Sequence, residues 1–282
     1  MAFYLTLPSN SSIKYFPNNK AQHFTTQLPQ EIDLNGEWEI GLAEIQFTNT
    51  YINVGEGDVW LTYTTPSLEY QKQKVPLEIN PIKALSGRVI YTRPHTHRME
   101  MRGGVYESNE AFVEELNHQI KDDNVDGFGK KNKHHMSVNY NKRTKIAKLN
   151  VAEVDAVVDM SLSLRRILAL PSSGHFTGRR HRAGDGVMDL NQGFKSIFVY
   201  CDLASPRPAG DVMAPLLRTL PITPHTSATY HQIYNKPHYT PLNRSHFSTV
   251  EIVLSTDTGN NLTFTSGHTV VTLHLRPRVL QG

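Results

Sequence analysis

Lys195-Ser-Ile-Phe-Val-Tyr-Cys-Asp-Leu203, followed by Ala204-Ser-Pro-Arg-Pro-Ala-Gly-Asp-Val-Met-Ala-Pro-Leu-Leu-Arg218, organises the rest of the chain. Ile197, Val199 and Cys201 fall on one face of an extended segment, and Phe198 and Tyr200 fall on the other. β-Branched and aromatic residues dominate, which predicts a strand. Apolar groups on both faces predict a central strand with material packed on each side. Ser205-Pro-Arg-Pro-Ala-Gly210 is a rigid exit. The run Asp211-Val-Met-Ala-Pro-Leu-Leu-Arg218 then places apolar side chains between two charges, which suggests a scaffold that shows a loop to a partner.

Composition narrows the class. The 282 residues include 14 His and carry a formal net charge of only +3, so no global field argues for nucleic acid. With 38% hydrophobic and 20% charged residues the composition is that of a globular protein. The one cysteine, Cys201, excludes an internal disulfide and a thiolate zinc cage, and its place in a strand reads as a buried small hydrophobe. No apolar run of about 18 residues exists to span a bilayer. Met1-Ala-Phe-Tyr-Leu-Thr-Leu-Pro8 lacks a basic segment and a long apolar core, so no signal peptide and a reducing folding compartment are expected.

Strands crowd both ends. Phe3, Leu5 and Leu7 alternate with Tyr4 and Thr6. Residues 23–28 form a further strand closed by Pro29, and Asn35-Gly36 is a hairpin-type signal before the next. Trp38, Ile40 and Leu42 share one face, whereas Ile45 and Phe47 take the apolar role in the opposite phase, which predicts a bulge or two-sided cover. Residues 59–64 give another strand. After the central strand, 217–222 can extend, and 223–246 is a long Pro-, His- and Tyr-rich loop. Val250, Ile252 and Leu254 mark a clean strand, 257–261 its turn, and 262–265 its expected partner. Val271, Leu273 and Leu275 mark the last strand.

The middle is richer in charge, His and Gly. Ser108 or Asn109 caps a predicted helix over 109–121, with Phe112, Leu116 and Ile120 on one stripe and acidic residues early. Asn141-Lys-Arg-Thr144 predicts a hairpin turn. Residues 157–164 fit a strand or, with 165–170, a short helix. Residues 171–186 read as an exposed, mobile loop. The physical inference is a mainly β fold: one single jelly-roll sandwich of about eight strands. It is formed by 1–65 and 192–282, with 66–191 as an inserted α+β region.

Little in the sequence points to chemistry. His95, His97, His134 and His135 lack a matching carboxylate spacing for a metal. Arg165, Arg166, Arg179, Arg180 and Arg182 form a local basic cluster without the interleaved aromatics of a base-stacking groove, and they read as a solvated loop or one paired to another subunit. Asp185 to Asp189 is too sparse for a calcium loop, and Gly184-Asp-Gly186 is no phosphate cradle. No nucleophile elbow appears. Trp38 and Trp60 read as core. No cofactor and no enzymatic activity are expected.

Several motifs together carry a resemblance. They are Phe3-Tyr-Leu-Thr-Leu-Pro-Ser-Asn-Ser-Ser12, Tyr15-Phe-Pro-Asn-Asn19, Phe24-Thr-Thr-Gln-Leu-Pro29 and Trp38-Glu-Ile-Gly-Leu-Ala-Glu-Ile45. The second half adds Phe198-Val-Tyr-Cys-Asp202, Gly210-Asp211 with Ala214-Pro-Leu-Leu-Arg218, Pro237-His-Tyr-Thr-Pro-Leu242 and Val270-Val-Thr-Leu-His-Leu-Arg-Pro277. In these the chain resembles the minor capsid (penton) proteins of Polinton/Maverick elements and adintovirus-like double-stranded DNA viruses. The motifs cover both β blocks and leave the middle unmatched. The resemblance implies a jelly-roll subunit that forms homopentamers at icosahedral capsid vertices of the virion, beside a double jelly-roll major capsid protein, after synthesis in the host cytosol. A subunit contact is expected at Asp211, Met213, Pro215, Leu216, Leu217 and Arg218. Filling the subunit's own core is the competing fate for the apolar members. The alternative function is a glycan- or receptor-binding β-sandwich on a particle surface, served by Tyr230, Tyr234, His238 and Tyr239.

Overall fold

The structure is a computed structural model. It describes residues 1–65, 68–69, 90–91, 95–122, 136–151, 156–177, 181–192, 195–222, 228–257 and 259–278. His134, His135, Arg179 and Arg180 lie outside them. In chain order the elements are β1 (Phe3–Pro8), β2 (His23–Asp33), β3 (Trp38–Thr48), β4 (Trp60–Thr65), β5 (Leu68–Glu69), β6 (Ile90–Tyr91), β7 (His95–Glu100), α1 (Asn109–Asp122), β8 (Met136–Asn141), β9 (Ile146–Val151), β10 (Val157–Met160), α2 (Leu162–Ile167), β11 (Phe176–Thr177), β12 (His181–Ala183), β13 (Ser196–Cys201), β14 (Arg207–Ala209), β15 (Val212–Ala214), β16 (Leu216–Pro221), β17 (Thr229–Ile233), β18 (Thr240–Pro241), β19 (His246–Thr256) and β20 (Thr269–Pro277). They divide into two compact units, Met1–Asn53 with Gly193–Gly282, and Val54–Gln192.

In the first unit one sheet runs β1-β20-β3-β17 with β18 beside β3, and a second runs β16-β13-β19-β2. Going along the strands of these two sheets, the chain changes sheet at every connection except β13 to β16 and β17 to β18, and the first strand pairs with the last. This interleaving is jelly-roll connectivity. One core joins the two sheets: Leu7, Ile40, Leu42, Ile45, Phe47 and Leu273 from the first meet Phe24, Ile197, Val199, Leu217, Val250 and Ile252 from the second. The phase slip in β3 is a register shift. Leu42 faces Leu273 and Glu44 faces Thr272, so Ala43 is the extra residue.

Several expectations need correction. Pro29 does not close β2. It lies inside an edge strand, at an irregularity where Gln27 faces Thr249 and Ile32 faces Phe247, so its missing N–H costs no ladder bond. Asn35-Gly36 links strands of opposite sheets and is no hairpin. Residues 223–246 contain β17 and β18, both paired with β3. Residues 262–265 form no strand with β19: Phe264 bridges Tyr51, and only Asn261 meets Ser255. β13 is central, between β16 and β19, but Phe198 and Tyr200 on its second face are only half-buried. Trp38 and Trp60 are likewise half-buried.

In the second unit β4 pairs with β7 and β10, and Leu61 and Tyr63 point into that unit's own core. This strand therefore leaves the sandwich, to which the sequence reading through residue 65 had assigned it. Ser108 caps α1, its hydroxyl accepting from the Ala111 N–H at 3.1 Å. Phe112, Leu116 and Ile120 are buried on its stripe. Asn117 holds α1 to β8, donating to the Val138 carbonyl at 2.7 Å and accepting from the Val138 N–H at 2.8 Å. Both readings of 157–164 are realised in part: β10 ends at Met160, and Ser161 caps α2 by accepting from the Leu164 N–H at 3.2 Å. The supposed loop 171–186 contributes β11 and β12 to sheets. Among the described residues no helix is long and apolar enough to cross a membrane.

Candidate functional site

The stretch after β13 splits into two pieces with opposite fates. Gly210 and Asp211 form a two-residue turn between β14 and β15, with Ala209 facing Val212 and Pro208 facing Met213. Gly210 takes φ +66° while Asp211 does not enter positive φ, the pattern of a type II′ hairpin turn. The hairpin pairs with no other strand among the described residues. Val212 and Met213 are 58% and 63% exposed, and Asp211 is exposed beside them. Pro215 is half-buried where the chain enters β16.

From Leu216 onward the chain belongs to the sandwich. Leu217, at 0% exposure, belongs to the sandwich core, and Leu216 is buried at 8%, so neither side chain is presented at the surface. The physical reason is register: β16 pairs with β13, which places Arg218 opposite Val199 and Leu216 opposite Tyr200. The Arg218 guanidinium lies 3.7 Å from the centre of the Tyr234 ring, a cation–π contact. Of the six expected contact residues, Asp211 and Met213 are presented, Pro215 and Arg218 are half-buried, and Leu216 and Leu217 are buried.

A second surface feature lies on the outer face of the β1-β20-β3-β17 sheet. A groove of about 460 Å³ is lined by residues that include Tyr4, Glu44, Asn235, Tyr239, Thr272 and His274. Tyr4 faces His274 across the ladder, and their rings stack at 4.5 Å. Tyr239 Oη and His274 Nδ1 are 2.6 Å apart. Burial, and then the nearby Arg276 charge, hold the His274 imidazolium below its usual pKa. Arg276 lies over the Tyr239 ring at 3.6 Å and donates to Glu39 at 2.6 Å. One wall of the groove depends on Gly41. A Cβ there would meet Pro237 Cβ at 2.8 Å and the His238 carbonyl at 3.1 Å, so only glycine lets 237–239 lie against β3. Tyr230, expected to be an exposed aromatic, is instead buried and stacked on Phe47 at 4.7 Å.

Cys201, Asp202 and Arg165 are buried or paired elsewhere in the fold. Burial pushes the Cys201 thiol up to about 12, which removes it as a nucleophile near neutral pH. Asp202 accepts from the Glu251 N–H at 2.8 Å and pairs with Arg244, tying the exit of β13 to β19. Burial raises its carboxyl pKa, against the pull of that N–H and of Arg244. Arg165 is no part of an exposed basic patch. It is buried, donates to the carbonyls of Met160, Pro171 and Gly174 and to Asp159, and lies over Phe176. No group of three or more His, Cys, Asp or Glu able to hold a metal occurs among the described residues.

The sequence reading missed Tyr4 and His274, which stand far apart in the chain and meet only because the first and last strands pair. Comparison with protein-family models gives no match, and comparison with curated proteins gives none. Among solved structures, the chain is similar to the mavirus penton protein, with a TM-score of 0.47 and 9% identity over 98% of this chain and 99% of that one. It is also similar to a chain of the Sputnik virophage structure, with a TM-score of 0.42 and 11% identity over 97% of each chain.

Proposed function

We propose that the protein is a non-enzymatic minor capsid (penton) subunit, which assembles as a homopentamer at the vertices of a double-stranded DNA virus capsid beside a double jelly-roll major capsid protein. The observation that carries this reading is a jelly-roll sandwich closed by both ends of the chain, from which an apolar hairpin stands out uncovered. Ring closure needs heterologous contacts, in which one patch of each copy meets a different patch of the next. The β14–β15 hairpin is one such patch: Val212 and Met213 stay exposed although a well-packed core lies a few residues away. The motif resemblance of both β blocks to the pentons of Polinton-like elements supports the same assignment. The expected location is the capsid vertex of the virion.

The test is the mass of the purified chain by sedimentation, alone and with the major capsid protein. Homopentamers are expected, and Val212→Asp with Met213→Asp is expected to leave a folded monomer. A chain that stays monomeric in both conditions defeats the assembly reading. A double variant that still forms pentamers defeats only the assignment of the hairpin.

A further inference from the structure

We propose that the groove on the outer face of the β1-β20-β3-β17 sheet is a binding site for a neutral saccharide. The proposal does not depend on assembly. The groove's volume, about 460 Å³, lies within the range of roughly 300–1,000 Å³ usual for small-molecule sites.

Three features select the ligand class. The first is an aromatic platform. Tyr4 is 65% exposed, with one ring face fixed by stacking on His274 and the rest open to solvent. An exposed ring on a paired strand offers an apolar plate to the C–H face of a pyranose at little cost in ordering, since Tyr4 is already held. The second is the mixture of donors and acceptors around it. Asn235 supplies an amide, Thr272 a hydroxyl and Glu44 a carboxylate. His274 is neutral near pH 7. Nδ1 is engaged with the Tyr239 hydroxyl, so Nε2 is the ring nitrogen left for a ligand hydroxyl. Hydroxyls that both donate and accept suit such a set.

The third feature is the lack of a cation in the lining. Glu44 is paired with His231 at 2.7 Å. Arg276 is taken up by Glu39 and by the Tyr239 ring. The lining contains no Lys or Arg to meet an anion, and its one carboxylate, Glu44, is hydrogen-bonded to His231. Phosphorylated, sulfated and sialylated ligands would be desolvated here without compensation. The site is also preformed: the Tyr239–His274 bond and the close seat of 237–239 on Gly41 fix the far wall before any ligand arrives.

The experiment is saturation-transfer NMR on the full chain. The probes are oligosaccharides ending in galactose, glucose, mannose or N-acetylglucosamine, together with their sialylated and sulfated counterparts. Transfer to at least one neutral probe is expected. Tyr4→Ala and Asn235→Ala are each expected to weaken it about tenfold while the melting temperature is unchanged. Both side chains are exposed, so their loss does not threaten the fold. Failure of every neutral probe, binding restricted to the acidic ones, or equal binding by Tyr4→Ala would each overturn the proposal.

Discussion

The β14–β15 hairpin and β16 stand side by side in the chain, share an apolar composition, and end in opposite environments. Leu216 and Leu217 enter a ladder with β13 and lose contact with water. Among the described residues Val212 and Met213 pair only within their hairpin, and they keep more than half their surface exposed. An apolar run is thus two things joined at Pro215. One part is consumed in making the subunit, and the other stays exposed to solvent. Monomeric proteins do scatter exposed apolar residues, and it is a contiguous apolar patch that marks a contact, so the hairpin's role rests on the assembly test.

The sharpest way to break this contrast is at Leu217. Its side chain is fully buried between the sheets, so Leu217→Ala should cost about 2–5 kcal/mol in chemical denaturation. Leu217→Asp should prevent folding altogether, because an unpaired carboxylate would be placed in that core. A variant that loses assembly through Leu217 would therefore say nothing about contacts. If Leu217→Ala cost less than about 0.5 kcal/mol, the buried role assigned to β16 would be wrong.

A smaller effect is expected at Gly210. A Cβ at φ +66° costs about 1–2 kcal/mol, so Gly210→Ala should loosen the turn. Because the hairpin pairs with no other described strand, the loss should appear as faster amide exchange across 207–214 and barely in the global melt. A drop in global stability of the full amount would show that the hairpin is part of the cooperative core, and the contrast with β16 would fade.

How much of this was legible in the sequence follows from which signals are local. The alternation Phe3, Leu5, Leu7 and Val271, Leu273, Leu275 is a period of two on one buried face, and it marks β1 and β20 directly. The phase change in β3 announced its bulge for the same reason. β17 was hidden because it is an edge strand whose only buried residue is Tyr230, so Thr-Tyr-His-Gln-Ile reads as loop. Val59 to Thr64 looked like another sandwich strand because alternation gives a face but not the identity of the core it faces. Arg165 looked like part of a basic cluster because its burial depends on carbonyls and on Asp159, none of which a charge pattern reveals. The groove was the least legible feature, since it needs Tyr4 and His274 in one place. The Gly210-Asp211 turn went unread, because the stretch from Asp211 to Arg218 reads as one apolar run between two charges. Hydrophobicity alone could not say which side of Pro215 would be buried.

The smallest expected change in stability is also the one that says most about the hairpin. Val212→Asp with Met213→Asp replaces two side chains that touch mostly water in the isolated subunit. Folding free energy measured on monomer should therefore move by no more than about 0.5 kcal/mol. In an assembled ring the same two carboxylates would be driven into an apolar contact without partners, a cost of several kcal/mol per contact. The two numbers come from one variant and differ only in whether a neighbour is present. If the monomer itself is destabilised by 2 kcal/mol or more, as a buried pair would be, the hairpin packs on its own subunit in solution, and the exposed half of the contrast is lost.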